Sequence, residues 1–162
     1  MCNYMDPAPL TDVELAAWRG MLVTHARVTQ QLDAQMRAAH GMSVSAYEVL
    51  LFLIEAPGHR LRMSQIADEV LLSRSGCTRL VDRLARLGYV TRTAADGDGR
   101  GLFAELTGAG VEMARAARVT HRAGIRRYFL DALDDADERA LATAWHKLEA
   151  GEPDAQAATR AS

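Results

Sequence analysis

The sequence predicts a mainly α fold, and three observations predict it. Apolar residues recur at helical spacing over most of residues 11–150, serine or threonine caps and glycine stops punctuate that pattern, and one β-branched stretch around a glycine-rich loop interrupts it. With 49% hydrophobic and 25% charged residues, the 162-residue chain has a soluble, globular composition and enough length for one ordinary domain with a core.

The first long helix is expected from Thr11. Leu15, Trp18, Leu22, His25, Thr29, Leu32 and Met36 recur in steps of three and four, flanked by Met21, Val28 and Gln35, up to His40-Gly41, where glycine can take the left-handed cap. Roughly 28 residues make a helix of ~42 Å, longer than a small core needs, so it is expected to pack against another chain. Ser45 is expected to cap the second helix, with Glu48 completing a capping box. The stretch "YEVLLFLIEA", apolar nearly all round, should be buried until Pro57-Gly58 ends it, and "PGHRLR" reads as a turn. Behind Ser64, the spacing of Met63, Ile66, Ala67, Val70 and Leu71 marks the inner face of a third helix.

A fourth helix carries the functional signal. Ser73 is a good N-cap, and Cys77, Leu80, Val81, Leu84 and Leu87 form one apolar stripe. Arg74, Arg79, Arg83 and Arg86, with Ser75, Thr78 and Asp82, must therefore lie on other faces. Past Gly88, "YVTRT" and "LFAEL" around "AADGDGRG" predict a β-hairpin. The rest returns to helix: "TGAGVEMARAARVTHRAGIRRYFLDAL" is one long element capped by Thr107, and "DDADERALATAWHKLEAG" begins with acids and stops at Gly151.

Helix, short turn, helix with a polar N-terminus, then basic hairpin is the order of a winged helix-turn-helix. The expected organisation is a mobile arm at 1–10, long N- and C-terminal dimerisation helices at 11–40 and 107–150, a DNA-binding lobe at 45–106 and a disordered tail at 151–162. Eight arginines stand against five acids between Arg60 and Arg100, although the whole chain has a net charge of −2. Nearly all the positive charge is arginine, whose planar fork suits phosphates and base edges.

A helix fits the major groove, and outer residues near its N-terminus reach the bases. Ser75 and Thr78 are candidates for phosphate or base contacts, Gly76 for close approach of the helix-start amides to a phosphate, and Arg79 and Arg83 for guanine or phosphate. Arg100, at the hairpin tip with Asp98 orienting it, is a candidate for the minor groove. Arg74 and the cap Ser73 complete the expected DNA-binding set.

The stretch from Met63 to Gly110 resembles the core of the MarR-type transcriptional regulators. Their pattern of S-x-S-x-x-T-R-x-V-x-x-L, G-x-[VIL]-x-R, D-x-R and L-T-x-x-G is matched by Ser73, Ser75, Thr78, Arg79, Val81, Leu84, Gly88, Val90, Arg92, Asp98, Arg100, Leu106, Thr107 and Gly110. The likeness is most specific over residues 61–110 and extends, by helix position and length, to about 10–150. It departs at the wing, where Gly97, Gly99 and Gly101 replace bulk, implying a more flexible wing or one contributing less affinity. The resemblance implies a homodimer on a pseudo-palindromic operator, acting as a repressor released by a small molecule. The start "MCNYMDPAPL", with neither a basic nor an apolar signal region, and the lack of a membrane-length apolar run lead to the expectation of a cytoplasmic protein. Small phenolic or aromatic ligands commonly lodge, in this family, between the first two helices and the DNA-binding lobe. Trp18, Met21, His25, Met36, Met42 and Tyr47 are the matching candidates, although side chains of these types are more often core, and His25 more often a structural histidine.

Several function classes are disfavoured. No apolar run approaches the roughly 18 residues of a membrane span. The five histidines show no i, i+3 or i+4 pairing, so neither zinc sensing nor a cofactor is expected. Cys77 falls on an apolar stripe and reads as a buried thiol. Cys2 lies outside the long helix where the peroxide-sensing branch of the family carries its reactive cysteine. An enzyme would show a G-x-S-x-G elbow, a phosphate-binding glycine loop or paired catalytic acids, and none occurs. A protein-binding winged helix is the other rival, opposed by the arginine surface and separable by salt titration.

Overall fold

The computed structural model describes residues 8–70, 72–94 and 102–150. The expected arm up to residue 7, the hairpin tip and the tail at 151–162 lie outside them. Helix α1 (Asp12–His40) starts in a capping box: Thr11 Oγ1 accepts from the Glu14 amide at 3.3 Å, and the Glu14 carboxylate accepts from the Thr11 amide at 2.7 Å. It ends at Gly41, whose φ of 66° is the left-handed conformation that glycine tolerates.

Helix α2 (Val44–Glu55) begins two residues earlier than the capping-box reading of Ser45 and Glu48 requires. Ser43 is the cap, its Oγ accepting from the Ala46 amide at 3.1 Å, while Asp33 of α1 accepts from the Val44 amide at 3.0 Å. An acceptor supplied from α1 satisfies one more orphan amide and moves the start upstream. The segment read as a turn contains a short 3₁₀ turn at Pro57–His59 and a strand, β1 (Arg60–Arg62). Three residues show too little alternation to be seen in sequence; β1 exists through its pairing with β3.

Helices α3 (Met63–Glu69) and α4 (Arg74–Arg86) follow, then β2 (Val90–Ala94) and β3 (Leu102–Leu106). The antiparallel sheet has the order β1-β3-β2, with Arg62 opposite Phe103 and Phe103 opposite Thr93. Leu87, counted on the α4 stripe, lies past the helix end and is exposed. Helix α5 (Gly108–Tyr128) is capped by Thr107. The expected single helix to Leu133 breaks at Phe129, and a 3₁₀ turn, Leu130–Ala132, leads to α6 (Asp135–Ala150). Asp134 forces the restart, its carboxylate accepting from the amides of Ala136 at 2.8 Å and Asp137 at 2.9 Å.

One core joins these elements. Met36, Met42, Tyr47, Leu50, Leu53, Ile66, Cys77, Val81, Leu84, Val90 and Ala104 are all buried in it, with Ala114 and Ala117 from α5. Two glycines let elements approach closely. A Cβ at Gly110 would stand 2.1 Å from the Tyr89 carbonyl oxygen, and one at Gly124 would stand 2.6 Å from Leu32 Cδ2 on α1. The amino-terminal half of α1 is different. Only Leu32 and Met36 of that helix are buried, whereas Trp18 is 54% exposed.

Candidate nucleic-acid interface

The first turn of α4 is built by its own side chains. Ser73 Oγ accepts from the Gly76 amide at 3.2 Å and lies 3.3 Å from Ser75 Oγ, so the two hydroxyls share a hydrogen bond at the helix start. Thr78 Oγ1 donates back to the Arg74 carbonyl oxygen at 2.9 Å and keeps its lone pairs. A Cβ at Gly76 would sit 3.1 Å from Ser73 Oγ, so the missing side chain leaves room for the cap itself. A shallow cleft between this turn and the start of α3 is lined by Met63, Ser64, Arg74 and Thr78. Behind it, Cys77 Sγ lies 3.7 Å from the Met63 carbonyl oxygen, and burial pushes its thiol pKa up, which favours the inert protonated form.

The arginines divide by role. Arg74, Arg79, Arg83 and Arg86 are all exposed. Arg79 makes no side-chain hydrogen bond or ion pair among the described residues. Arg83 is tethered: its Nη2 donates to the Gly41 carbonyl oxygen at 3.2 Å. Arg92 on β2 forms an ion pair with Asp82, which fixes the hairpin stem to the middle of α4. The matched glycine and threonine positions meet behind the stem. Thr107 Oγ1 donates to the Gly88 carbonyl oxygen at 2.7 Å and accepts from the Gly110 amide at 3.0 Å, while the Thr107 amide donates to Tyr89 at 3.0 Å. Asp98 and Arg100 lie outside the described residues.

Sequence reasoning passed over one basic group. Because β1 is a strand, Arg60 and Arg62 share a sheet face, and their guanidinium carbons lie 4.0 Å and 5.1 Å from the centre of the Phe103 ring. The spacing R-x-R is the signal, legible only once that segment is known to be extended.

The six residues expected to line one ligand pocket are divided. Met36, Met42 and Tyr47 are core residues, with Tyr47 packed on His121 at 4.9 Å between ring centres. Trp18, Met21 and His25 instead line an open apolar groove of about 1080 Å³ with Phe129, Leu133, Leu141, Trp145 and Leu148. The physical reason is length: α1 runs past the core, so one helix stripe serves two environments. Among the described residues no group of three His, Cys, Asp or Glu side chains could hold a metal ion, and no helix is long and apolar enough to cross a membrane.

Comparison with known proteins places this geometry. The profile of the MarR family matches residues 40–101. AbsC, a MarR family transcriptional regulator from Streptomyces coelicolor, is 35% identical over a superposition covering 87% of this chain and 95% of AbsC, with a TM-score of 0.77. Sco3205, a MarR family regulator from the same organism solved in complex with DNA, is 30% identical over 93% of this chain and 94% of its own, with a TM-score of 0.83. The HTH-type transcriptional repressor YetL of Bacillus subtilis (strain 168) is 34% identical over 70 residues, 43% of this chain and 42% of YetL. The chain spans about half the length of the curated relatives it matches. All three of these relatives are named as transcriptional regulators or repressors, not as enzymes.

Proposed function

Since the chain belongs to the MarR family, we propose that it is a cytoplasmic transcriptional repressor that binds double-stranded DNA as a homodimer. The observation that carries this reading is the capped first turn of α4, presenting Ser75, Thr78 and an untethered Arg79 outward in a fold that superposes on a DNA-bound relative. In the proposed complex α4 enters the major groove by its N-terminal half. Ser73 and Ser75, with the amides beside Gly76, meet a phosphate, and Arg79 reaches a base edge. Arg74 and Arg83 contribute positive charge along the backbone. Arg100, with Asp98, is assigned to the minor groove from its place in the glycine-rich loop of the sequence and the attraction of that groove for arginine.

Dimerisation is supported by the groove between α1 and α6. Trp18, Leu22, Trp145 and Leu148 are large apolar side chains that the single chain leaves exposed. A second copy offers the same surface, so a two-fold interface covers both at once and spaces two recognition helices for two half-sites. The effector of the proposed repressor is a small aromatic acid or phenol, received beside Trp18, Met21 and His25.

The test is selection of bound fragments from random duplex DNA by the purified chain, followed by sedimentation of free protein. A recovered palindromic motif, steep loss of affinity with salt and a mass twice 17.7 kDa are expected. Recovery of no motif above the non-specific background would sink the reading.

A further inference from the structure

We propose that Arg62, steadied on the Phe103 ring, is an additional DNA-phosphate contact, linking the footprint of α4 to that of the hairpin; the inference rests on the DNA-binding reading above. Three observations support it. First, Arg62 is where two DNA-facing elements meet. It immediately precedes α3, whose start lines the cleft beside Arg74 and Thr78, and its strand register sets it opposite Phe103, at the end of β3 that follows residues 95–101. Arg60, two residues earlier, stands opposite Glu105, farther from that loop.

Second, the charge is available. Arg62 is exposed and forms no ion pair among the described residues, and the acid on this face of the sheet, Glu105, is opposite Arg60. Third, the side chain is held in advance. Stacking on Phe103 restricts an otherwise rotamer-rich arginine, so less freedom is lost when an anion binds. A residue on the neighbouring strand β1 rather than on the outer face of α4 meets the sugar-phosphate strand, not the base edges, and so adds affinity without sequence preference.

The experiment measures affinity and its salt dependence for the selected operator and for a scrambled duplex of equal length, using the wild-type chain, Arg62→Ala, Arg62→Lys and Phe103→Leu. Arg62→Ala should weaken both duplexes by the same factor and reduce the salt slope by about two ions per dimer, one per subunit. Arg62→Lys, which keeps the charge but stacks less well, should restore the slope and part of the affinity. Phe103→Leu, with the charge intact but unsteadied, should weaken both duplexes less than Arg62→Ala does. Unchanged affinity and slope in Arg62→Ala, with the wild-type chain binding normally, would overturn the proposal alone. A loss confined to the operator would overturn the phosphate assignment, and a lowered melting temperature with no recovery by lysine would make the residue structural. A wild-type chain that retains neither duplex would remove both this inference and the DNA-binding reading.

Discussion

The carbonyl oxygen of Gly41, at the end of the first helix, accepts a 3.2 Å hydrogen bond from Nη2 of Arg83 on the fourth. The bond joins the long α1 to the exposed face of α4, so the orientation of α4 is tied to the helix that carries the apolar groove.

Arg79 and Arg83 should therefore behave differently although they lie one turn apart. Arg79→Ala removes a side chain without a partner among the described residues, so thermal stability should be unchanged while operator affinity falls by ~1 to 3 kcal/mol if a base edge is lost. Arg83→Ala should also lower stability, by about 0.5 to 1 kcal/mol, because it deletes the hydrogen bond to Gly41. Denaturant titration beside operator titration checks both. Equal stability losses in the two variants would contradict the division.

The two close-packed glycines give a second contrast. Gly110→Ala would drive a methyl into the Tyr89 carbonyl oxygen, 2.1 Å away, where both backbones are pinned by Thr107. It should cost about 3 kcal/mol, the upper part of the overpacking range. Gly124→Ala meets only side-chain ends, Gln35 Oε1 at 2.5 Å and Leu32 Cδ2 at 2.6 Å. Those atoms can shift, and alanine gains about 1 kcal/mol in helix propensity. A near-neutral change is expected there, measured by urea unfolding.

These contrasts also show what was legible in the sequence. Caps and periodicity gave the ends of α1 and the start of α4, because Gly41 and Ser73 act locally. The start of α2 was misplaced because a residue distant in sequence, Asp33, supplies its extra acceptor. β1 was invisible because pairing with β3 alone defines it, and the basic pair Arg60 and Arg62 was missed with it. The DNA-facing residues of α4 could be proposed from periodicity, whereas the ligand set could not be assigned to one place. A seven-residue stripe says which side of α1 is apolar, not whether this chain or another covers it.

His121 should make stability pH-dependent. Burial against α2, beside the Tyr47 ring, lowers its pKa below the ordinary histidine value of 6.5. The unfolded chain then takes up the proton first as pH falls, so stability is fully present above about 6.5 and declines below it, until the lowered folded-state pKa is passed. Burial raises the pKa of Glu48, which acts in the opposite sense as its carboxylate is protonated. Only a difference isolates the histidine. The urea midpoint of wild type between pH 7.5 and 5 should fall more than that of His121→Phe, which keeps a ring on Tyr47, and parallel curves would exclude the effect.

The divided pocket residues make the effector proposal sharper. If a benzoate or phenol binds beside Trp18, Met21 and His25, then His25→Ala, in a chain that sedimentation shows still dimeric, should weaken it, whereas Met42→Leu, a change in the core, should not. A tenfold preference for the non-operator geometry at each of two sites supplies ~2.8 kcal/mol, about a hundredfold loss of operator affinity. Calorimetry against a ligand panel, with and without operator, is the measurement. Binding that leaves operator affinity unchanged at saturation would eliminate release by that class.

The dimer interface can be tested with one charge. Trp18 lines the groove and is 54% exposed in the single chain, whereas Val119 on α5 is 72% exposed and does not line it. An interface between identical copies contains each residue twice, and a buried large apolar side chain contributes about 1.5 to 3 kcal/mol, so Trp18→Asp should remove roughly 3 to 6 kcal/mol of association free energy. The added carboxylate would also be costly to bury. Sedimentation should show Trp18→Asp as a monomer and Val119→Asp as a dimer. Operator affinity should fall with the first variant only, since separate monomers lose the simultaneous binding of two half-sites. A dimeric Trp18→Asp chain, or dissociation by Val119→Asp, would move the interface away from the groove.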